Sequence, residues 1–154
     1  MTRLYYGFDR FLADTRQLTQ KMAGYRPDAI VAISRGGVSL GHLLSEYYDL
    51  RTLYTLNAIH YDDTQKRQEV EIFNVPNLTG ATKVLVVDEI VDSGESMAAI
   101  MALLHTRYPQ VEFRVAALFQ KPEACFEADF WVDRPQGWID FFWEVDLKPE
   151  SYNQ

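Results

Sequence analysis

Four aliphatic residues in a row, Val84-Leu85-Val86-Val87, set the strongest constraint on how this chain folds. A β-branched-rich run without polar alternation needs burial on both faces, and a parallel sheet covered by helices provides it. Ala29-Ile30-Val31-Ala32-Ile33 makes the same demand. The segments around these runs supply the covering helices. Phe8, Phe11, Leu12, Leu18 and Met22 fall on one helical face, with Asp9 near the start, Gly24 as the stop and Pro27 beyond it. A second helix is predicted from about Val38 to Tyr48, and a third from about Ser96 to Tyr108, burying Met97, Ile100, Met101 and Leu104. Thr52 to Ile59 and Phe113 to Leu118 read as further strands, and Phe130-Trp131-Val132 as a short one. His60 to Gln68 is polar and without period, so a loop is expected there. Glu69 to Val75 is expected to pair with the strand before it, and the segment rich in Trp and acids near the end to be irregular. Strand–loop–helix units in this order predict an α/β fold, a mostly parallel twisted sheet flanked by helices. At 154 residues without linker or repeat, one domain is expected over 1–154.

Charge narrows the choice of partners. Fifteen Lys and Arg against 22 Asp and Glu leave a net charge of −7, which repels nucleic acid, and no basic run offsets it. A polyanion can still bind where backbone amides, a metal ion and single cations act locally. The lone Cys125 excludes an internal disulfide and a CxxC-type zinc site. The opening MTRLYYGFDR does not read as a secretory signal, and the apolar run Ala98 to Leu104 is far shorter than a membrane span. The expectation is a cytoplasmic protein, with attachment to the periphery of the inner membrane as the alternative.

The chemistry concentrates where the strongest strand ends. Asp88 and Glu89 follow the apolar run directly, and Asp92-Ser93-Gly94-Glu95-Ser96 then opens a helix. A Ser/Gly turn at a helix N-terminus presents backbone N–H groups and hydroxyls to a phosphate monoester. Two carboxylates beside it suit diol hydroxyls or a divalent cation with hard oxygen ligands. Phosphate, diol and metal in one line describe a ribose 5-phosphate. Helix capping by Asp, Ser and Glu explains the acids alone equally well. An acidic pocket of the receiver type fits less well, because its acid pair belongs on the first strand and this one lies on the third parallel-type run.

The thirteen-residue pattern Val84–Ser96 resembles the signature of the type I phosphoribosyltransferases: an apolar strand, two acids, a short apolar pair and an Asp-Thr-Gly-x-Thr-like loop. Here serines fill both hydroxyl positions. Among that family the chain is most similar to the bacterial xanthine-guanine enzymes. The likeness rests on Val31–Gly37 (VAISRGG), on the signature, on Phe119-Gln120-Lys121-Pro122 and on Gly137-Trp138-Ile139-Asp140, all in the expected order.

The resemblance implies transfer of a 5-phosphoribosyl group from phosphoribosyl pyrophosphate to N9 of guanine, xanthine or hypoxanthine. The products are GMP, XMP or IMP and pyrophosphate, and the cofactor is Mg²⁺. Asp88 and Glu89 would bind the ribose hydroxyls and the metal. Ser93, Gly94, Glu95 and Ser96 would form the phosphate loop with Asp92. Asp92 would also sit beside purine N7 as catalytic base or proton holder, the alternative being that it only shapes the loop. Ser34, Arg35, Gly36 and Gly37 would hold pyrophosphate, in a turn that the family often builds with a cis peptide before the arginine. The alternative there is an ordinary strand-to-helix turn. Lys121 would donate to purine O6, or else be a surface lysine. Trp138 would stack on the base, with Trp131 and Trp143 as core tryptophans. Ile139 would offer backbone groups to the base edge and Asp140 a carboxylate to the guanine amino group. Residues 119–154 would form a small C-terminal hood. Relatives carry Ser-Tyr where this chain has His60-Tyr61, in a loop that closes over the site, so its pyrophosphate contacts stay open; His42 and His105 read as structural. The family also implies a homodimer or homotetramer. Two other readings are carried: a hypoxanthine-guanine enzyme without xanthine activity, and a regulator that senses phosphoribosyl pyrophosphate. The chain has neither a basic face nor spare length for the DNA-binding part that such regulators carry.

Overall fold

In the computed structural model, residues 2–62 and 68–148 are described. The elements follow in the order β1 (Arg3–Tyr6), α1 (Phe8–Lys21), β2 (Ala29–Ser34), α2 (Val38–Tyr48), β3 (Leu53–Asp62) and β4 (Gln68–Phe73). Then come β5 (Lys83–Val91), α3 (Glu95–Arg107), β6 (Glu112–Gln120), β7 (Phe130–Asp133), β8 (Trp138–Phe141) and α4 (Phe142–Val145). The main sheet has six strands in the order β4-β3-β2-β5-β6-β7. All its neighbours are parallel except β3 and β4. This is the mostly parallel α/β sheet expected from the apolar runs.

The two runs lie side by side at its centre, with Ile30 opposite Leu85 and Val31 opposite Val86. Alternate residues serve opposite faces. Val31, Ile33, Val84 and Val86 pack with Met97, Ile100 and Leu104 of α3. Ile30, Leu85 and Val87 pack with Phe11 and Leu18 of α1 and Leu40 and Leu44 of α2. Each fully buried side chain of this kind contributes about 1.5–3 kcal/mol, so both faces are needed to hold the sheet. Asp28 ties the entry of β2 to β5: its carboxylate accepts from the Thr82 hydroxyl at 2.6 Å and the Thr82 N–H at 2.9 Å.

Four sequence expectations need correction. β5 does not stop at Val87. It continues to Val91 because β6 runs beside it as far as Gln120, so Asp88 and Glu89 lie within the strand. His60-Tyr61-Asp62 is strand rather than loop, held in register against Gln68–Val70, where an exposed antiparallel pair tolerates polar residues. The catalytic-loop expectation for 63–67 lies outside the described residues. α3 begins at Glu95, one residue before the predicted start. The segment near the end is not irregular. β8 pairs in parallel with β1, an element that had no sequence signal, and the two make a small separate sheet. None of the described helices is long and apolar enough to cross a membrane.

Candidate functional site

From β2 the chain crosses through α2 to β3 on one side of the sheet, and from β5 through α3 to β6 on the other. Strand order therefore reverses between β2 and β5, and the crevice beyond their carboxyl ends is where ligands of open α/β sheets bind. The sequence motifs SRGG and DE…DSGES both emerge there.

The turn after β2 lies directly on the acidic end of β5. The Ser34–Arg35 peptide is cis. A Cβ added at Gly36 would fall on the Glu89 carboxylate, and one at Gly37 would lie 2.5 Å from the Val87 carbonyl oxygen, so glycine at 37 is what lets the turn lie against β5. Arg35, Gly36 and Ser39 line a 550 Å³ cleft with Glu89, Glu144 and Lys148. Within that cleft Glu89 keeps one carboxylate oxygen, Oε2, enclosed and without a hydrogen-bond partner. Burial pushes both Asp88 and Glu89 above the ordinary carboxylate range, and the charges of Asp88 and Glu144 add to the rise at Glu89. Two crowded carboxyls with an orphaned oxygen form a site that a hard cation would relieve. Among the described residues no cluster of three His, Cys, Asp or Glu forms a complete cage. Mg²⁺ takes one or two carboxylates and fills its remaining positions with water and phosphate oxygens, and the unpartnered Glu89 Oε2 is a ligand of that kind.

The loop that opens α3 adjoins this pair. Asp88, Asp92, Ser93, Gly94 and Ser96 line a 280 Å³ cleft with His60 of β3. The Ser93 hydroxyl accepts from the Glu95 N–H at 3.2 Å. Gly94 has φ +86°, and a Cβ there would lie 2.7 Å from the Phe126 nitrogen. The same close packing shows in the Cys125 N–H, which donates to the Ser93 carbonyl at 2.8 Å. The neighbouring segment is itself anchored by Gln120, 3% exposed. Its amide donates to the Phe126 carbonyl at 2.8 Å and accepts from the Ala128 N–H at 2.9 Å. That anchor fixes Lys121. Its Nζ lies 2.6 Å from the Asp92 carboxylate, and the hydrogen bond to Asp92 raises its pKa.

The small sheet supplies a third cleft, of 390 Å³, lined by Arg3, Tyr5, Trp138, Asp140, Glu144 and Lys148 among others. Trp138 is 53% exposed, as a stacking surface must be, while Ile139 is buried beneath it. The Asp140 carboxylate is engaged on both oxygens. Arg3 donates to it at 2.7 and 3.0 Å, and the Trp138 indole at 3.1 Å. The Arg3 hydrogen bonds hold the Asp140 carboxyl below its ordinary range. Trp143, half-buried, stacks on Phe141 at 4.8 Å and meets Phe11 edge-on, and it also lines the Arg35–Glu89 cleft, so it is not the wholly internal tryptophan expected. Trp131 is half-buried beneath Lys21 and Arg134. His42 pairs with Glu46 at 3.5 Å, and the His105 ring meets Phe113 edge-on, both away from these clefts.

The structure thus brings together Arg35, Gly36 and Glu89 in one cleft and Asp88, Asp92 and the serine loop in another, with Glu89 lining both and Lys121 joined to the second through Asp92. Trp138 and Asp140 line neither of the first two clefts. They connect to the Arg35–Glu89 cleft through Glu144 and Lys148, which line both it and the cleft of the small sheet. Glu144 and Arg3 had no motif to mark them. They become visible only when β8 is laid beside β1.

Residues 7–150 match the phosphoribosyl transferase domain family. The xanthine-guanine phosphoribosyltransferase of Ruegeria sp. (strain TM1040) is 28% identical across 94% of this chain and 86% of its own length. That of Cereibacter sphaeroides (strain ATCC 17025 / ATH 2.4.3) is 28% identical across 94% and 88%. Among solved structures, the xanthine-guanine-hypoxanthine phosphoribosyltransferase of Helicobacter pylori superposes with a TM-score of 0.89 at 40% identity, covering 99% of this chain and 100% of its own. A purine phosphoribosyltransferase from Pyrococcus horikoshii Ot3, 23% identical with a TM-score of 0.81 over 97% of each chain, shares the fold. With the crevice, the signature loop and these likenesses in agreement, the chain belongs to the phosphoribosyl transferase domain family, as a type I phosphoribosyltransferase of purine salvage.

Proposed function

We propose that the protein transfers the 5-phosphoribosyl group of phosphoribosyl pyrophosphate to N9 of guanine or xanthine, and of hypoxanthine, releasing pyrophosphate. The observation that carries this reading is the contact of Lys121 with Asp92, 2.6 Å apart, between the serine loop and the acid pair. A cation and a carboxylate so joined match the O6 and N7 edge of a 6-oxopurine. Lys121 donates to O6 and Asp92 receives or shares the N7 proton. A 6-amino group would meet Lys121 as one donor against another, which selects against adenine.

In the reaction the bond from C1′ to the pyrophosphate oxygen breaks, the N9–C1′ bond forms, and the purine proton passes to Asp92. The loop Asp92–Ser96 binds the 5-phosphate through N–H groups of the first turn of α3 and through the hydroxyls of Ser93 and Ser96. Arg35 and the amides of Gly36 and Gly37 bind pyrophosphate, beside Ser34. Asp88 and Glu89 hold the ribose hydroxyls and stabilise the positive charge that develops at C1′. Glu89 and Asp88 would hold Mg²⁺, which would supply positive charge to neutralise the pyrophosphate. Trp138 stacks on the base, and the main chain at Ile139 reads its C2 edge. Because Asp140 is taken by Arg3, its part is to brace Trp138 rather than to receive the guanine amino group. The small sheet with α4 serves as the hood. We further place the protein in the cytoplasm as a homodimer or homotetramer, on family likeness alone.

The test is direct. Incubating the protein with phosphoribosyl pyrophosphate, Mg²⁺ and guanine, xanthine, hypoxanthine or adenine should give nucleotide with the first three and little with adenine. No nucleotide from any purine overturns the assignment. Transfer to guanine and hypoxanthine without xanthine selects the narrower enzyme.

A further inference from the structure

We infer that His60 is a positioning residue for the 5-phosphate: it holds the Glu95 carboxylate off the loop that this phosphate occupies. The inference rests on the reading of Asp92–Ser96 as the phosphate site.

Glu95 is the first residue of α3, so its carboxylate stands at the positive end of a helix dipole. That end attracts any anion. A carboxylate attached to the loop itself therefore competes with the ligand phosphate for the same N–H groups, or repels it from beside them. The structure shows where the carboxylate goes instead. Glu95 Oε2 lies 3.0 Å from His60 Nε2, on a strand of the sheet 35 positions earlier in the chain. Within Asp88–Met97, Glu95 is the one residue that does not line the 280 Å³ cleft, whereas His60 does line it. The imidazole thus occupies the wall position, and the acid it meets does not line the cleft. His60 is itself held in the ladder of β3 with β4, opposite Val70.

This separates two roles for His60. A residue that bound pyrophosphate directly would be insensitive to the side chain at position 95. One that acts through Glu95 loses its purpose when that carboxylate is gone, so a double-mutant cycle distinguishes them.

The experiment compares wild type, His60→Ala, His60→Gln, Glu95→Ala and the double variant His60→Ala/Glu95→Ala. The readouts are initial rates, inhibition by ribose 5-phosphate and by pyrophosphate, and thermal melting. Loss of the imidazole should raise KM for phosphoribosyl pyrophosphate about five- to tenfold and weaken ribose 5-phosphate inhibition equally, with kcat changed by less than about twofold. Pyrophosphate inhibition should not move. The His60→Gln variant keeps a donor and should stay within about twofold of wild type, and the double variant should recover most of the lost affinity. Glu95→Ala alone should lower KM by about twofold. An unchanged KM in His60→Ala, a weakened pyrophosphate inhibition, or a double variant as impaired as His60→Ala each overturns the inference. A failure of the underlying reading looks different: ribose 5-phosphate would then not inhibit wild type at all, and Ser96→Ala would leave KM unaltered.

Discussion

Replacing Lys121 with Met tests whether base selection comes from a single donor. Lys121 is one-third exposed and Asp92 two-thirds, so their 2.6 Å ion pair is a surface interaction worth about 0–1 kcal/mol to folding. The backbone of Lys121 is held independently, by its N–H to the Val91 carbonyl at 3.0 Å and by the Gln120 side chain. Melting should therefore shift by no more than about 3 °C. Catalysis should respond far more. A hydrogen bond from a charged donor is worth about 1.5–3 kcal/mol, so kcat/KM for guanine and hypoxanthine should fall about 10- to 150-fold. Adenine, which gains nothing from Lys121, should keep whatever slow rate it has. Selectivity for 6-oxopurines, the ratio of kcat/KM values, then collapses by the same factor. Parallel progress curves with each purine at saturating phosphoribosyl pyrophosphate and Mg²⁺ measure it. If all bases decline together and the ratio survives, Lys121 is only an electrostatic partner of Asp92, and selection lies elsewhere.

Three further outcomes follow from other parts of the site. Asp92→Asn should lower kcat by about 10²–10⁴-fold while thermal melting stays near wild type, because the Asp92 side chain is 66% exposed. Turnover close to wild type removes Asp92 from the proton transfer. Gly94→Ala forces a Cβ into a φ of +86° and against the Phe126 nitrogen, so it should cost about 1–3 kcal/mol. The same variant should raise KM for phosphoribosyl pyrophosphate, which calorimetry and initial rates check together. Asp28→Ala should cost about 1–2 kcal/mol at pH 7 by removing the acceptor of both Thr82 bonds. Although burial works against it, those bonds and one from the Lys83 N–H hold the Asp28 carboxyl below its ordinary value. A depressed carboxyl stabilises the fold above its unfolded pKa and loses that contribution as pH falls through the folded one. The gap between wild type and variant should thus close under acid, and a gap that widens refutes the linkage.

The sheet was legible because its central strands have no alternative. Val84–Val87 and Ala29–Ile33 cannot be satisfied with one face in water, and two such runs joined by amphipathic helices leave few topologies. The site was legible for the same reason, since polar residues that interrupt a buried strand's carboxyl end stand out from their surroundings. What escaped notice lies where burial is weaker. β1 and β8 are four residues each and half exposed, and they pair only with each other, so neither sequence segment signals the other. Arg3, the brace of Asp140 and Trp138, was hidden with them. The strand reading also stopped too soon at Val87, because local hydrophobicity ends there while the ladder with β6 does not.

The continuation of β5 beyond Val87 decides how two of the acids are held. Acids inside a strand cannot turn to solvent as loop acids can, and the turn at Gly36 presses the backbone onto them from the neighbouring strand. Glu89 keeps an enclosed oxygen without a partner, and burial raises the pKa of both carboxyls. In a chain of net charge −7 this places two carboxyls where their charged forms are least stable. A cation at Glu89 would relieve it. Phosphoribosyl pyrophosphate alone would meet the repulsion of a net negative surface, whereas its Mg²⁺ complex would bring a cation to Glu89 and phosphates toward Arg35 and the α3 loop. Binding of substrate and of metal should therefore be mutually dependent. In calorimetric titrations phosphoribosyl pyrophosphate should bind more weakly without Mg²⁺ by about tenfold or more, and Glu89→Gln should shrink that difference. Equal affinity with and without the cation would show that the acid pair serves the ribose hydroxyls alone.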